Sequence, residues 1–274
     1  MSTTTHLAGW LRPPGLPDVN DPARTRCRAI RCLPGEVAPY VLLPGDPARA
    51  ERICRERLAD GRLVMTNREF HTYTGTHKGV PVSVISTGLG SAGAAMVVDD
   101  LARLGVRVAL RVGTAGSGQT YVKPGHLVIA TGAVRDEGVT PHHVPAIFPA
   151  VADPDVLDAL RRAARATPQA TVHVGIVHTC DAFQSPVLSE RLETYTRARV
   201  LAYEMEASAI LVMSALRGIA GGCILSIDGW VAHVQAGNFL PDVAGRDRGI
   251  TQMMDVALDA IAILHAEGND AART

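Results

Sequence analysis

Arginine recurs beside glycine turns in this sequence. In Leu43-Pro44-Gly45-Asp46-Pro47-Ala48-Arg49 a glycine turn precedes an arginine by one helical turn. Backbone N–H groups at such a turn, a positive helix terminus and a guanidinium together suit a phosphate oxygen, although a plain strand-to-helix turn with a surface arginine has the same letters. In Arg111-Val112-Gly113-Thr114-Ala115-Gly116 an arginine ends an otherwise apolar strand. A buried guanidinium without a counter-charge costs several kcal/mol, so Arg111 needs an anionic partner, either a carboxylate such as Glu206 or Asp228 or a bound ligand. Arg68, in Asn67-Arg68-Glu69-Phe70, is a further anion contact or simply a solvated arginine in a strand.

Two other segments carry chemistry. Ser86-Thr87-Gly88-Leu89-Gly90-Ser91-Ala92-Gly93 holds Gly88, Gly90 and Gly93 at the spacing of the dinucleotide fingerprint, but the acid that would bind a ribose about twenty residues on is missing. An arginine at that place would suit NADP, so a hydride-transfer enzyme stays as a minority alternative. In Tyr203-Glu204-Met205-Glu206-Ala207-Ser208-Ala209 two acids flank a methionine where a strand turns into an apolar helix. Such carboxylates either cap the helix or accept a pair of vicinal hydroxyls.

These turns need a scaffold, and the apolar periodicity supplies one. Strands are predicted at Tyr40–Leu43, Val82–Ser86, Val106–Val112, Leu127–Ala133, Val172–Val177 and Cys223–Ile227. Helices are predicted at Ala48–Leu58, Ala92–Leu104, Pro154–Ala166, Met205–Arg217 and Asp247–His265. The alternation is that of an α/β sheet, in which ligands gather at the carboxyl ends of strands. Residues 1–39, rich in Pro and Arg, are expected to form an arm, residues 40–266 one catalytic domain, and residues 267–274 a frayed tail.

Bulk composition narrows the class. Of 274 residues, 27 are basic and 27 acidic, so no global field exists to hold a nucleic acid or an anionic membrane, and any anion site must be local. The five cysteines are scattered without metal-ligand spacing, which points to reduced thiols, no metal and a cytoplasmic location.

Six pieces in order then carry a resemblance: Gly45-Asp46-Pro47 with Arg49, Arg68-Glu69-Phe70, Ser86-Thr87-Gly88-Leu89-Gly90, Leu110-Arg111-Val112-Gly113-Thr114-Ala115-Gly116, Phe148-Pro149-Ala150-Val151-Ala152-Asp153, and Glu204-Met205-Glu206. From Ala29 to His265 the chain resembles the uridine phosphorylase branch of the nucleoside phosphorylases, which displaces the dinucleotide alternative. The resemblance implies a three-layer α/β/α sandwich with a mixed central sheet, and a hexamer assembled from dimers. It implies phosphate bound by Gly45, Arg49, Arg111 and Thr114, with Arg68 reaching in from a neighbouring subunit. It implies ribose contacts from Glu204, Met205 and Glu206, and base contacts from Thr87, Gly88, Phe183, Gln184, Ser189 and Arg191. Arg111, Glu206 and Asp228 are the catalytic candidates. The implied reaction is cleavage of a nucleoside, pyrimidine by preference, with inorganic phosphate as co-substrate and no cofactor.

Charge dictates how such a reaction is helped. Breaking the glycosidic bond leaves positive character on the sugar and negative charge on the base, so catalysis is mainly positioning and electrostatics. On this view Arg111→Ala removes most activity with little loss of folding. The sequence departs from the branch in two respects, at the base edge and at the sugar 5′ position. The glutamine expected near Arg191 is Ser189, with Gln184 as a substitute and Arg191 aligned across a two-residue insertion. Asp228 falls within one residue of the acid that serves the purine branch, and its plain alternative is a turn aspartate before Gly229. Ala29 stands where the branch carries a histidine that crosses the dimer to the sugar 5′-hydroxyl, leaving that contact vacant unless His6 folds in. Purine phosphorolysis, a hydrolytic nucleosidase and a non-catalytic nucleoside-binding protein are the competing functions.

Overall fold

A computed structural model describes residues 26–183, 189–231 and 242–271. Its strands are β1 (Tyr40–Leu43), β2 (Ala59–Asn67), β3 (Phe70–His77), β4 (Val80–Ile85), β5 (Val108–Ser117), β6 (Leu127–Asp136), β7 (Ala150–Val151), β8 (Val172–Cys180), β9 (Ala202–Glu204) and β10 (Ala220–Trp230). Its helices are α1 (Pro47–Arg57), α2 (Ser91–Arg103), α3 (Pro154–Arg165), α4 (Ser189–Arg197), α5 (Ala207–Arg217) and α6 (Val243–Ala271). The last helix therefore continues to Ala271, through residues expected to fray, and Glu267 pairs with Arg162 of α3.

Why a three-layer arrangement forms is visible in β1. All four of its residues are buried, and successive side chains point to opposite faces. Tyr40 and Leu42 pack with residues of α1, α3 and α6, whereas Val41 and Leu43 pack with residues of α2 and α5. Each such side chain taken fully from water contributes about 1.5–3 kcal/mol. The sheet is mixed, with strand order β10-β6-β8-β9-β5-β1-β4-β3-β2. β10 also pairs with β5, so five of the strands close into a ring. The long β5, central to both the ring and the open sheet, carries Arg111 and Thr114.

Helix starts are capped where the sequence has Asp-Pro. Asp46 accepts from the Ala48 amide at 2.9 Å, and Asp153 accepts from Asp155 and Val156 at 3.0 and 3.2 Å, with proline as the first helical residue each time. The β2–β3 hairpin escaped the sequence pattern because β2 is largely exposed and has no buried alternation. Its two-residue turn is Arg68-Glu69, with Arg68 at φ 55°. Among the described residues no helix is long and apolar enough to cross a membrane.

The described part of the arm is packed rather than loose. Cys27, Ala29, Ile30 and Cys32 join the apolar cluster beneath α2. Buried Asp100 of α2 accepts from the amides of Arg28, Ala29 and Ile30 at 3.2, 2.7 and 3.0 Å. Asp100→Ala should therefore strand three donors and lower unfolding free energy by about 3 kcal/mol, read as a fall in urea midpoint. A loss below about 1 kcal/mol would mean the arm is not held this way. His6 lies outside the described residues.

Candidate active site

A cavity of about 220 Å³ opens where the carboxyl ends of β1, β5, β8, β9 and β10 converge. Gly45, Arg49, Arg111, Thr114, Met205 and Glu206 line it, as do Phe183, Arg191 and Asp228 further round the wall. The turn after β1 and the turn after β4 lock together at its floor. Thr87 donates its amide to the Pro44 carbonyl at 2.9 Å and Gly88 to the Gly45 carbonyl at 3.0 Å. A side chain at Gly45 would meet the Gly88 carbonyl at 3.1 Å, which is why glycine suits that position.

Arg111 is 3 % exposed and sits between two buried carboxylates. Its Nη2 lies 2.5 Å from Glu206 Oε2, and its Nε lies 2.7 Å from Glu204 Oε2, a charge contact off the line of a good hydrogen bond. Burial works against its charge, but Glu206 and Glu204 together raise its pKa above the usual arginine value. The carboxylate alternative for Arg111 is thus realised, with Glu204 rather than Asp228 as the second partner. Removing the guanidinium would leave two buried acids unbalanced, so the expectation that Arg111→Ala spares folding is overturned.

Arg49 is the opposite case. It is 8 % exposed and has no hydrogen-bond or ion-pair partner among the described residues. Burial first, then repulsion from Arg111 and Arg246, pushes its pKa down to about 10, with Asp46 and Asp228 opposing. Two guanidinium groups thus meet at one cavity, one neutralised and one not.

The two acids around Met205 have separated roles. Glu204 Oε1 accepts from the Thr179 hydroxyl at 2.5 Å and the Ala207 amide at 3.0 Å. Its Oε2 accepts from the amides of Glu206 and Ala207 at 2.9 and 2.8 Å, and Arg111 approaches the same oxygen. Burial raises the Glu204 pKa and Arg111 opposes. With both oxygens occupied, Glu204 caps α5 and seats Arg111, a correction to its expected place among the ribose contacts. Glu206 takes one donor on each oxygen, Arg111 and the Gly90 amide at 2.5 Å, and retains free lone pairs. Gly90 is the N-cap of α2, so the positive helix terminus that a dinucleotide would use holds Glu206 instead. The Met205 carbonyl accepts from Ser91 Oγ at 2.9 Å and fixes the turn.

Several expected base contacts move. Thr87 is fully buried, its hydroxyl is given to the Gly88 carbonyl at 3.1 Å, and neither Thr87 nor Gly88 lines the cavity; Ala115 and Gly116 do. The reason is the crossing of the two turns, which points this segment at Gly45 rather than at the cavity. Phe183, 70 % exposed, stands at the rim. Ser189 opens α4, and Gln184 lies outside the described residues. Arg68 is exposed on the hairpin turn, away from its own chain's cavity. Ala29 is 2 % exposed, donates its amide to Asp100, accepts at its carbonyl from the Asn67 side-chain amide, and does not line its own chain's cavity; a histidine there would overpack the cluster around it. Asp228 lines the cavity, and burial raises its carboxyl pKa against Arg246 and Arg49.

Asp136, His178 and Cys180 also line the cavity, beyond the site residues expected from the sequence. Asp136 and Cys180 end the strands β6 and β8, so the strand-end rule itself was the signal. Burial pushes the Cys180 thiol up to about 11, which makes it a wall rather than a nucleophile.

The sequence pattern of the phosphorylase superfamily matches residues 39–257. The chain belongs to that superfamily. It is 38 % identical over 210 residues to a uridine phosphorylase of Thermococcus kodakarensis, covering 72 % of this chain and 75 % of that one. It is 35 % identical over 204 residues to a guanosine phosphorylase of Halorubrum lacusprofundi, covering 74 % and 82 %. Its fold is similar to a purine nucleoside phosphorylase from Toxoplasma gondii solved with immucillin-H, with TM-score 0.83, 31 % identity, and coverage of 88 % and 97 %. As a member of the phosphorylase superfamily it has the mixed sheet and the helical layers that the resemblance implied.

Proposed function

We propose that the chain is a nucleoside phosphorylase, which transfers the pentose of a uridine-like nucleoside to inorganic phosphate. The single observation that carries this is Arg49, a buried cation without a partner beside Arg111 on the cavity wall. A buried charge is unfavourable unless something answers it, and a phosphate oxyanion does so for Arg49. In the reaction a phosphate oxygen bonds to C1′ as the C1′–N bond breaks, and the bonding pair leaves with the base. Glu206 uses its free lone pairs for the ribose hydroxyls, and Arg49, Arg111 and Thr114 orient phosphate. Release of base from a nucleoside panel with and without phosphate tests the proposal. Base release at equal rates without phosphate would make the chain a hydrolase instead.

A purine substrate has one observation in its favour. Asp228, with its raised pKa at the cavity wall, is suited to protonate a departing purine ring. Balanced charge and five free thiols support a cytoplasmic enzyme. Exposed Arg68 completes the phosphate site of a neighbouring subunit, in dimers that build a hexamer. Mixing Arg68→Ala with Arg49→Ala subunits should restore activity at sites that receive one intact copy of each. No recovery after verified subunit exchange would place Arg68 outside the site.

A further inference from the structure

Where β6, β8 and α4 meet the cavity, three side chains that phosphate and ribose do not use form one chain of contacts. Arg191 Nη1 donates to Asp136 Oδ1 at 2.8 Å, and His178 Nε2 lies 3.2 Å from Asp136 Oδ2. All three residues line the cavity. His178 is 2 % exposed, packed against Tyr195 and Tyr203 at centroid distances of 4.6 and 5.3 Å. Its Nδ1 is buried with no partner among the described residues. A protonated ring would leave an unmet N–H there, and burial lowers its pKa, so the ring is neutral with its proton on Nε2, facing Asp136. Each Asp136 oxygen thus has one donor and a lone pair left over. The Arg191 side chain is 60 % exposed, so its pairing with Asp136 adds little to stability. Its importance is in what the pair presents to the cavity.

An adjacent donor and acceptor complement an adjacent C=O and N–H. We propose that Asp136, held by His178 and paired with Arg191, sets base specificity by accepting the ring N–H of a base whose neighbouring carbonyl takes Arg191. This edge, a lactam, is common to uracil and to hypoxanthine or guanine. Cytosine and adenine lack it. Their bare ring nitrogen would face the carboxylate lone pair to lone pair, and their amino group would face a guanidinium. The inference rests on the nucleoside cleavage proposed above; Asp136 is its specificity residue and His178 a positioning residue.

The test compares kcat/KM for uridine, inosine, cytidine and adenosine under saturating phosphate. Uridine, inosine or both should exceed cytidine and adenosine by about 100-fold or more, because a site built for a hydrogen bond rejects the analogue that lacks it. Asp136→Asn, whose amide turns its oxygen to Arg191 and an N–H to the base, should cut that ratio by about tenfold or more. The KM for phosphate should stay within about twofold, since Arg49 and Arg111 are untouched. His178→Phe should erode the same ratio, and His178→Gln, which still offers a donor to Asp136, should largely restore it. The uridine and inosine arms separate a pyrimidine occupant from a purine one. An unchanged ratio in a folded Asp136→Asn protein, or a native enzyme that cleaves cytidine or adenosine equally well, overturns the proposal. Calorimetric titration with free uracil, hypoxanthine, cytosine and adenine in phosphate decides it independently of turnover. If no nucleoside is cleaved, selective binding of uracil or hypoxanthine that Asp136→Asn abolishes still supports it. Equal or no binding defeats it.

Discussion

Arg111→Ala is expected to lower kcat/KM for phosphorolysis by about a thousandfold, the scale of losing one preorganised donor at the reacting centre. It should also lower unfolding free energy by about 3–5 kcal/mol, because Glu204 and Glu206 remain buried without their counter-charge. The two effects separate by pH. Burial already raises the Glu204 pKa while Arg111 opposes, so removing Arg111 raises it further. A carboxyl whose folded pKa exceeds its unfolded one favours the fold when protonated. Stability then falls as pH rises from the ordinary carboxylate range toward the raised folded value. The deficit of the variant should therefore be smallest in mild acid and largest near neutrality. Equal unfolding midpoints for native and variant protein at neutral pH would show that the three groups are not one buried charge network. Glu204→Gln in the Arg111→Ala background should recover part of the stability and none of the activity.

Arg49→Met should do the reverse, abolishing most phosphate use while making the ligand-free protein more stable. The folded Arg49 pKa, about 10 and well below the ordinary arginine value, corresponds to roughly 3 kcal/mol of unfavourable charge burial. A base with a depressed folded pKa destabilises the fold wherever it is charged, and the penalty fades only as pH rises above about 10 toward the ordinary arginine value. At neutral pH the penalty is fully present, so removing the charge should raise Tm by several degrees. Added phosphate should raise Tm of the native protein by mass action and leave the variant nearly unmoved. Activity should fall by about two to three orders of magnitude, largely through a higher KM for phosphate. A variant that is less stable than the native chain and still shifts with phosphate would remove Arg49 from the phosphate site.

The parts of the fold written in local pattern were legible without coordinates. Tyr40–Leu43 is four buried apolar residues ending in a Gly-Asp-Pro turn, and β1 occupies the same four residues. Helices α1 and α3 begin at Asp-Pro steps because cap and φ restriction are both local effects. The β2–β3 hairpin was missed because an exposed strand has no apolar period, and the ring closure of β10 on β5 was invisible because pairing between distant strands leaves no mark on either one.

The candidate site divides in the same manner. Residue type and spacing pointed to Gly45, Arg49, Arg111, Glu204 and Glu206, since a charged group at the end of an apolar strand demands a reason wherever it occurs, and the family resemblance added Thr114, Met205 and the acid role of Asp228. Tertiary contacts set their surroundings apart. Glu204 and Glu206 are two residues apart with the same chemistry, yet one spends its oxygens on the start of α5 and the other faces the cavity with lone pairs to spare. Thr87 follows a strand as Thr114 lies within one, yet the crossing of two turns hides the first, whereas the second lines the cavity. Asp136, His178 and Arg191 lie on three elements dispersed over 55 positions of chain, and only the packing of β6, β8 and α4 makes them one group. A chain encodes its turns, caps and apolar faces within a few residues of each position. Which polar groups meet, and which lone pairs remain free after they meet, depends on long-range packing that no short stretch of sequence contains.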